Sequence, residues 1–314
     1  VSTRFSIAPH LNHRHTEPHE ITRLLWFEEH LKGAFKMPET PQLELDLKTT
    51  DGVPRITVTP DTSHPVERVD IYYSTDPHGL TRFWRDAKAV RTGDTWQAAC
   101  PVMSIEQPLF AYANIIHSLP PIYQNERAGA VFAISSRVML VAPARLKSSG
   151  VRATDLADRM IDDGSRGWHD WYLLNWGHPP LWTASTRKLK DPKWQGPDGA
   201  TLRFEIQCHT DNTLVLQFNC NAWGAFVPGK PAVDYTVVRE LKGSRDWQEV
   251  SVGLNEFRAT DPAITGAPAN WRTVTEFSIS PSGEIVRDGL GVKVSGKPWQ
   301  GPRAIRNLRW DAGE

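Results

Sequence analysis

Thr201-Leu202-Arg203-Phe204-Glu205-Ile206-Gln207-Cys208 and Thr213-Leu214-Val215-Leu216-Gln217-Phe218-Asn219-Cys220 decide the fold. The turn-forming His209-Thr210-Asp211-Asn212 separates them. Alternation of period two puts Leu202, Phe204, Ile206 and Cys208 on one side of a strand, and Leu214, Leu216, Phe218 and Cys220 on one side of the next. Strands with one apolar face must lay it on a second apolar surface, so the two imply sheet packed on sheet. Both thiols share the apolar phase and read as buried free cysteines. With Cys100 they make three, an odd count and too few for a disulfide framework.

The same grammar runs outward. Leu181–Thr186, Ala200–Cys208, Thr213–Asn221, Val233–Leu241, Trp247–Gly253, Thr273–Ser280 and Ala304–Trp310 read as strands, and Gly- and Pro-containing loops join them. That pattern suits a two-sheet jelly roll over residues 151–314. Trp194-Gln195-Gly196-Pro197 recurs as Trp299-Gln300-Gly301-Pro302, marking equivalent loop-to-strand corners near the two ends of one sandwich. Upstream, Gln42–Lys48, Pro54–Thr59, Glu67–Ser74, Arg82–Val90, Thr95–Val102, Leu109–Ile116 and Ala130–Val141 read as seven short strands. Residues 37–146 are therefore expected to form an immunoglobulin-like or fibronectin-like β-sandwich. Its Trp84 and Trp96 read as core or edge packing. Residues 1–36 belong to neither sandwich: a short strand (Arg4–Pro9), a polar loop, then a helix opened by Glu17-Pro18. Ile21, Leu24, Leu25, Phe27 and Leu31 give that helix one apolar face, and Gly33 sits at its C-cap. So small a piece has no core and must pack on the next domain or on a partner. The fold class is mainly β, two sandwiches after a strand-loop-helix segment.

Composition narrows the function. With 36 Lys+Arg against 36 Asp+Glu in 314 residues, the chain lacks the cationic excess of a nucleic-acid binder or a polybasic membrane-surface protein. No run approaches the ~18 consecutive apolar residues of a membrane-spanning helix. No basic-then-apolar leader pattern is visible at the start of the sequence. The chain holds 13 Trp, and ten of them lie beyond Gly150.

Two segments carry candidate chemistry. The first is His10, His13, His15 and His19, interleaved with Asn12, Arg14 and Glu17. As a zinc site the spacing lacks a completing Cys or acidic cluster. A solvated loop and a catalytic loop are the other readings. The second is Gly164–Trp182, where Trp168, His169, Asp170, Trp171, Tyr172, Asn175, Trp176, His178 and Trp182 crowd together. Flat aromatic faces with interleaved amides and carboxylates are what sugar recognition requires. The competing reading is a hydrophobic plug whose indole N–H groups bond backbone. Trp223, after Asn219 and Asn221, is a second such position. Trp168, Asp170, Trp171, Trp176 and Trp223 are the candidate carbohydrate-binding residues. Asp155, Asp158, Asp162 and Asp163 offer carboxylates for a structural Ca²⁺, but they match no EF-hand spacing, and a solvated acidic turn is the plainer reading. No other cofactor is expected.

Phe5-Ser6-Ile7-Ala8-Pro9-His10-Leu11-Asn12-His13-Arg14-His15, followed by Ile21–Gly33, resembles the last strand, His loop and closing helix of an α/β-hydrolase. Leu25-Trp26-Phe27-Glu28-Glu29-His30-Leu31-Lys32-Gly33 is similar to the ending of acetyl-xylan-esterase-like, dienelactone-hydrolase-like and PhoPQ-activated pathogenicity-related proteins. In these a β-sandwich follows, and Val69–Ser74, Arg82–Arg85 and Pro108–Asn114 resemble its strands. The resemblance covers about residues 1–145. It implies His13 as the general base of a Ser nucleophile, with His15 the alternate. Yet no Gly-x-Ser-x-Gly nucleophile elbow occurs, the nearest stretch being Gly164-Ser165-Arg166-Gly167. The triad is incomplete, and the chain alone is expected to be inactive. The last domain resembles galactose-binding-type carbohydrate-binding jelly rolls by architecture and composition only. Two expectations follow. One is the C-terminal accessory region of a secreted or periplasmic carbohydrate esterase, its partners a polysaccharide or oligosaccharide and an upstream catalytic domain. The other is a stand-alone binding or scaffolding protein.

Overall fold

The computed structural model describes residues 3–11, 16–123, 130–174, 182–281, 284–288, 291–295 and 297–312. The chain divides into two compact units, Val1–Pro77 with Trp84–Asp155 (unit 1) and His78–Phe83 with Leu156–Glu314 (unit 2). Both are built mainly of antiparallel strands. Among the described residues no helix is long and apolar enough to cross a membrane.

Unit 1 contains β1 (Gln42–Asp46), β2 (Arg55–Thr59), β3 (Val66–Ser74), β4 (Arg85–Ala87) and β5 (Val90–Thr92). After them come β6 (Thr95–Ala99), β7 (Leu109–Ser118), β8 (Val131–Ser135) and β9 (Met139–Val141). They pair in the orders β1-β2-β6-β5 and β4-β3-β7-β8, with β9 also on β7. Ile56 and Val58 of the first sheet share one buried cluster with Ile71, Leu109, Ala113 and Ile115 of the second. The strand expected at Arg82–Val90 is broken, because residues 78–83 belong to unit 2 and β4 spans only Arg85–Ala87.

Residues 3–11 and 16–37 pack within this unit. Helix α1 (Glu17–Phe27) continues into a π-helical turn, Glu28–Lys32, and stops at Gly33, whose φ of 63° is the left-handed C-cap conformation that glycine adopts without strain. Ile21 and Leu25 join Phe35, Met37, Phe132 and Ile134 in a separate small core. The Thr22 hydroxyl lies 2.8 Å from the carbonyls of Pro18 and Ala133 and accepts from the Ala133 N–H. The strand expected at Arg4–Pro9 is reduced to one bridge, Phe5 to Ser135. The Ile7 N–H is taken by the Ser135 hydroxyl at 2.7 Å, a side-chain bond in place of the next ladder bond. The expected helix face is split: Leu24, Phe27 and Leu31 stand 54%, 45% and 75% exposed.

Unit 2 contains β10 (Met160–Asp162), β11 (Tyr172–Leu174), β12 (Thr183–Thr186), β13 (Thr201–Cys208) and β14 (Asn212–Cys220). β15 (Val233–Leu241), β16 (Ser244–Gly253), β17 (Arg258–Ala259) and β18 (Val274–Pro281) follow. A small hairpin, β19 (Glu284–Asp288) with β20 (Gly291–Ser295), precedes β21 (Arg303–Asp311). One sheet runs β10-β21-β13-β16 and the other β11-β12-β18-β14-β15-β17. The alternation of residues 201–220 holds: Leu202, Phe204 and Ile206 face Leu214, Leu216 and Phe218 within one core, and Cys208 and Cys220 are buried free thiols. Burial pushes the Cys220 thiol up to about 11.

The tryptophans account for most of that core. Trp171, Trp182, Trp271, Trp299 and Trp310 lie inside it, with Trp168 and Trp194 packed against it. The two Trp-Gln-Gly-Pro copies lead into β13 and β21, which are antiparallel neighbours, so the copies stand at opposite ends of one sheet. At the first copy the Trp194 carbonyl accepts the Trp310 indole at 2.8 Å. A Cβ on Gly196 would lie 2.7 Å from Trp271 side-chain atoms. At the second, the Gln300 backbone exchanges bonds of 2.8 and 3.1 Å with the Asn212 amide.

Two outcomes follow. Gly196→Ala forces Trp271 out of its seat and lowers unfolding free energy by about 1–3 kcal/mol, read by urea denaturation. In unit 1, burial holds the His117 imidazole down to about 4. The unfolded chain binds that proton near pH 6.5, so stability falls as pH drops from about 6.5 towards 4. His117→Phe keeps the stack on Phe132 and flattens that part of the stability–pH curve.

Candidate functional site

The two outer faces of unit 2 differ in chemistry. On the β13 sheet the outward residues are charged and already matched. Arg203 pairs with Glu249 (3.1 Å) and Asp311 (2.7 Å), Arg306 with Glu205 (2.6 Å), and Arg309 with Glu249 (2.8 Å). The Arg306 guanidinium also lies 4.0 Å over the Trp247 ring. Such a lattice is a solvated face whose charges satisfy one another.

The six-stranded sheet instead turns hydroxyls and amides outward. Register places Tyr172, Ser185, Ser278, Gln217 and Thr236 in one row across β11, β12, β18, β14 and β15. Tyr172 and Ser185 are buried, at 9% and 2% exposure, so the accessible part of the row is Ser278, Gln217 and Thr236. Neighbouring strands lie ~4.8 Å apart, so these three span about 10 Å. A second row sets Glu276, Asn219 and Asp234 side by side, with Arg187 Nε 3.4 Å from Glu276. The Ser185 and Ser278 hydroxyls bond each other at 2.7 Å, and Asn219 donates to Asp234 at 2.8 Å. Burial, the charge of Glu276 and a hydrogen bond to its carboxylate push the Tyr172 phenol far above its ordinary value, so it stays a donor. This surface offers donors and acceptors in rows and is only lightly charged.

At one end of the rows β14 runs into a loop that carries Trp223. Its root is fixed by Asn221 N–H on the carbonyl of Thr273, just before β18 (3.0 Å), and by Ala222 N–H on the Thr275 hydroxyl of β18 (3.0 Å). The Asn221 side chain then closes the loop. Its Oδ1 accepts from Phe226 and Val227 N–H at 3.0 and 2.9 Å, and its Nδ2 donates to the Val227 and Lys230 carbonyls at 3.2 and 3.1 Å. Asn221 and Trp223 both hold φ of 56°, left-handed backbone that costs an L-residue about 1–2 kcal/mol. The result is an indole 68% exposed on a braced loop. An exposed large aromatic in strained backbone is unusual, and strain of this kind concentrates at ligand sites.

The other sequence candidates occupy different places. Trp171 is buried, its indole donating to Asp162 at 2.7 Å. Asp170 is buried in an ion pair with Lys188 at 2.6 Å. Trp168 is half-buried, edge-on to Trp171 at 5.3 Å, on the wall of a pocket of about 150 Å³. Trp168, Trp171 and Trp182 thus supply packing, and Tyr172, also buried, stands in the register row with Ser185. Trp176, His13 and His15 lie outside the described residues. His19 is a buried pin, its Nε2 donating to the Ile7 carbonyl at 2.9 Å and its Nδ1 bonded to the Thr16 hydroxyl. The four aspartates proposed for Ca²⁺ are individually engaged. Asp155 pairs with Arg85 at 2.8 Å, while Asp158, Asp162 and Asp163 each accept a backbone N–H two residues on. Among the described residues no three His, Cys, Asp or Glu gather as a metal site.

No protein-family model and no curated protein matches the chain. One solved structure, described as "Structural basis for the promiscuous specificity of the carbohydrate-binding modules from the beta-sandwich super family", aligns over 88% of this chain and 99% of that one, at 8% identity and a TM-score of 0.21. A likeness that weak carries no argument here. Asn221→Ala should release the loop, speeding amide hydrogen exchange across residues 222–230 while β13 and β14 stay protected, and cost about 1–3 kcal/mol.

Proposed function

We propose that unit 2 binds saccharide, with Trp223 as the stacking platform and the outward polar rows as hydroxyl partners. The observation that carries this reading is Trp223 itself, 68% exposed in left-handed backbone on a loop braced by Asn221. Packing does not use that indole, unlike those of Trp171, Trp271 and Trp310. An indole face suits the C–H side of a pyranose. Ser278, Gln217, Asn219 and Glu276 supply the mix of donors and acceptors that hydroxyls need. The accessible row of about 10 Å suits about two sugar rings. Trp168 and Trp176 remain secondary candidates on the same unit.

Affinity electrophoresis against soluble xylan, glucomannan, mixed-linkage glucan and galactan tests this. Retardation by at least one polymer is expected. Trp223→Ala should weaken it by about 2 kcal/mol, roughly 30-fold in Kd, as for a central aromatic anchor. No retardation by any of the four, or retention unchanged in Trp223→Ala, contradicts the proposal.

A second reading concerns residues 1–36. Their resemblance to the end of an α/β-hydrolase supports reading the chain as the accessory region of a carbohydrate esterase, secreted or periplasmic, with His13 as its general base. The exposed Leu24, Phe27 and Leu31 favour a further docking partner for α1 over a purely stand-alone scaffold. Since no Gly-x-Ser-x-Gly occurs, p-nitrophenyl acetate should be hydrolysed no faster by the chain than by buffer. Turnover that His13→Ala abolishes would place a nucleophile within these 314 residues after all.

A further inference from the structure

We propose that unit 1 carries its own site for one neutral sugar ring, seated on Trp96 and clasped between Arg91 and Asp94. A pocket of about 240 Å³ lies between the β5–β6 hairpin and residues 60–66, with Pro60, His64, Val66, Arg91, Asp94 and Trp96 among its walls. The volume is below the roughly 300 Å³ at which drug-sized sites begin, so it suits a single ring. Hairpin register sets Arg91 directly opposite Trp96, and Gly93, at φ 60°, turns the chain so that Asp94 meets the same pocket.

The electrostatics are unusual for so tight a hairpin. Arg91 spends its Nε on the Gly93 carbonyl at 3.1 Å, which aims the fork while leaving its terminal nitrogens unused among the described residues. The Asp94 carboxylate likewise has no protein partner among the described residues, and the two charges do not pair with each other. A cation and an anion that line one pocket without pairing match a vicinal diol. One hydroxyl accepts from the guanidinium while its neighbour donates to the carboxylate, and both bonds are charge-assisted. A ligand with net charge would be repelled by one of the two walls. The Trp96 ring, partly buried against the unit 1 core, supplies the apolar wall of the pocket. His64 stiffens the opposite wall, its Nε2 donating to the Lys36 carbonyl at 2.8 Å and its ring stacked on Phe35 at 4.8 Å.

This site is independent of the Trp223 face, and the test keeps the two apart. The full chain, ¹⁵N-labelled, is titrated with methyl β-D-xylopyranoside, methyl β-D-glucopyranoside and methyl β-D-galactopyranoside. At least one should give saturable shifts at the Trp96 indole N–H and the Gly93 and Asp94 amides. Arg91→Gln and Asp94→Ala, at exposed hairpin positions, should each weaken Kd about tenfold or more, whereas Trp223→Ala leaves it unchanged. The proposal is overturned if none of the three glycosides moves those signals. It is equally overturned if the shifts survive in both hairpin variants, or if Trp223→Ala abolishes them.

Discussion

Trp271 sits where the two sheets of unit 2 meet, edge-on to Phe218 at 5.1 Å, tilted against Trp310 at 4.8 Å, and donating its indole N–H to the Ala200 carbonyl at 2.9 Å. Gly196 must be bare for it to fit. That one side chain ties β14, through Phe218, to β21, through Trp310, and to the corner leading into β13. Its ring buries a large apolar area and its single donor is satisfied, so the contact holds the sheets together without leaving a polar group stranded. The strands that carry the outer rows keep their register because their inward residues are locked against this cluster.

With the core closed by Trp171, Trp182, Trp271, Trp299 and Trp310, an indole left in solvent takes on meaning. Trp abundance alone says little about ligands, since a two-sheet core readily consumes large aromatics. Trp223 differs in backbone as well as in exposure. Asn221, itself left-handed, spends every hydrogen bond of its amide on the loop that presents the ring. The polar rows beside it reinforce the contrast with the ion-paired face of the other sheet. A balanced charge of 36 against 36 is in keeping with an uncharged ligand.

Much of the fold was legible because period-two alternation survives wherever one strand face is buried. Residues 201–220 announced β13, β14 and their inward thiols, and Gly33 announced the end of the helical segment. Less was legible where pairing depends on distant partners. The Arg4–Pro9 segment has a strand's pattern, yet the Ser135 hydroxyl takes the N–H that would extend its ladder. The Arg82–Val90 run looks continuous, yet residues 78–83 belong to the other unit. The outer rows were hidden for a related reason. Gln217, Asn219, Glu276 and Ser278 each stand visibly on the polar phase of a strand, but sequence does not say that β14 and β18 are neighbours. Their chemistry was the available signal: Gln217, Asn219 and Ser278 are uncharged hydrogen-bonding groups, with Glu276 the one charge among them. In the Trp-dense segment, residue type was visible but direction was not, so Trp171 and Asp170 looked as available as Trp223.

The most direct test reads every indole at once. Indole-¹⁵N-tryptophan protein, assigned by single substitutions, is titrated with xylohexaose and cellohexaose. Saccharide binding at the six-stranded face predicts that the Trp223 N–H signal moves and saturates with at least one of them, while those of Trp271 and Trp310 stay fixed. A stationary Trp223 signal alongside saturable movement of other indoles would contradict it.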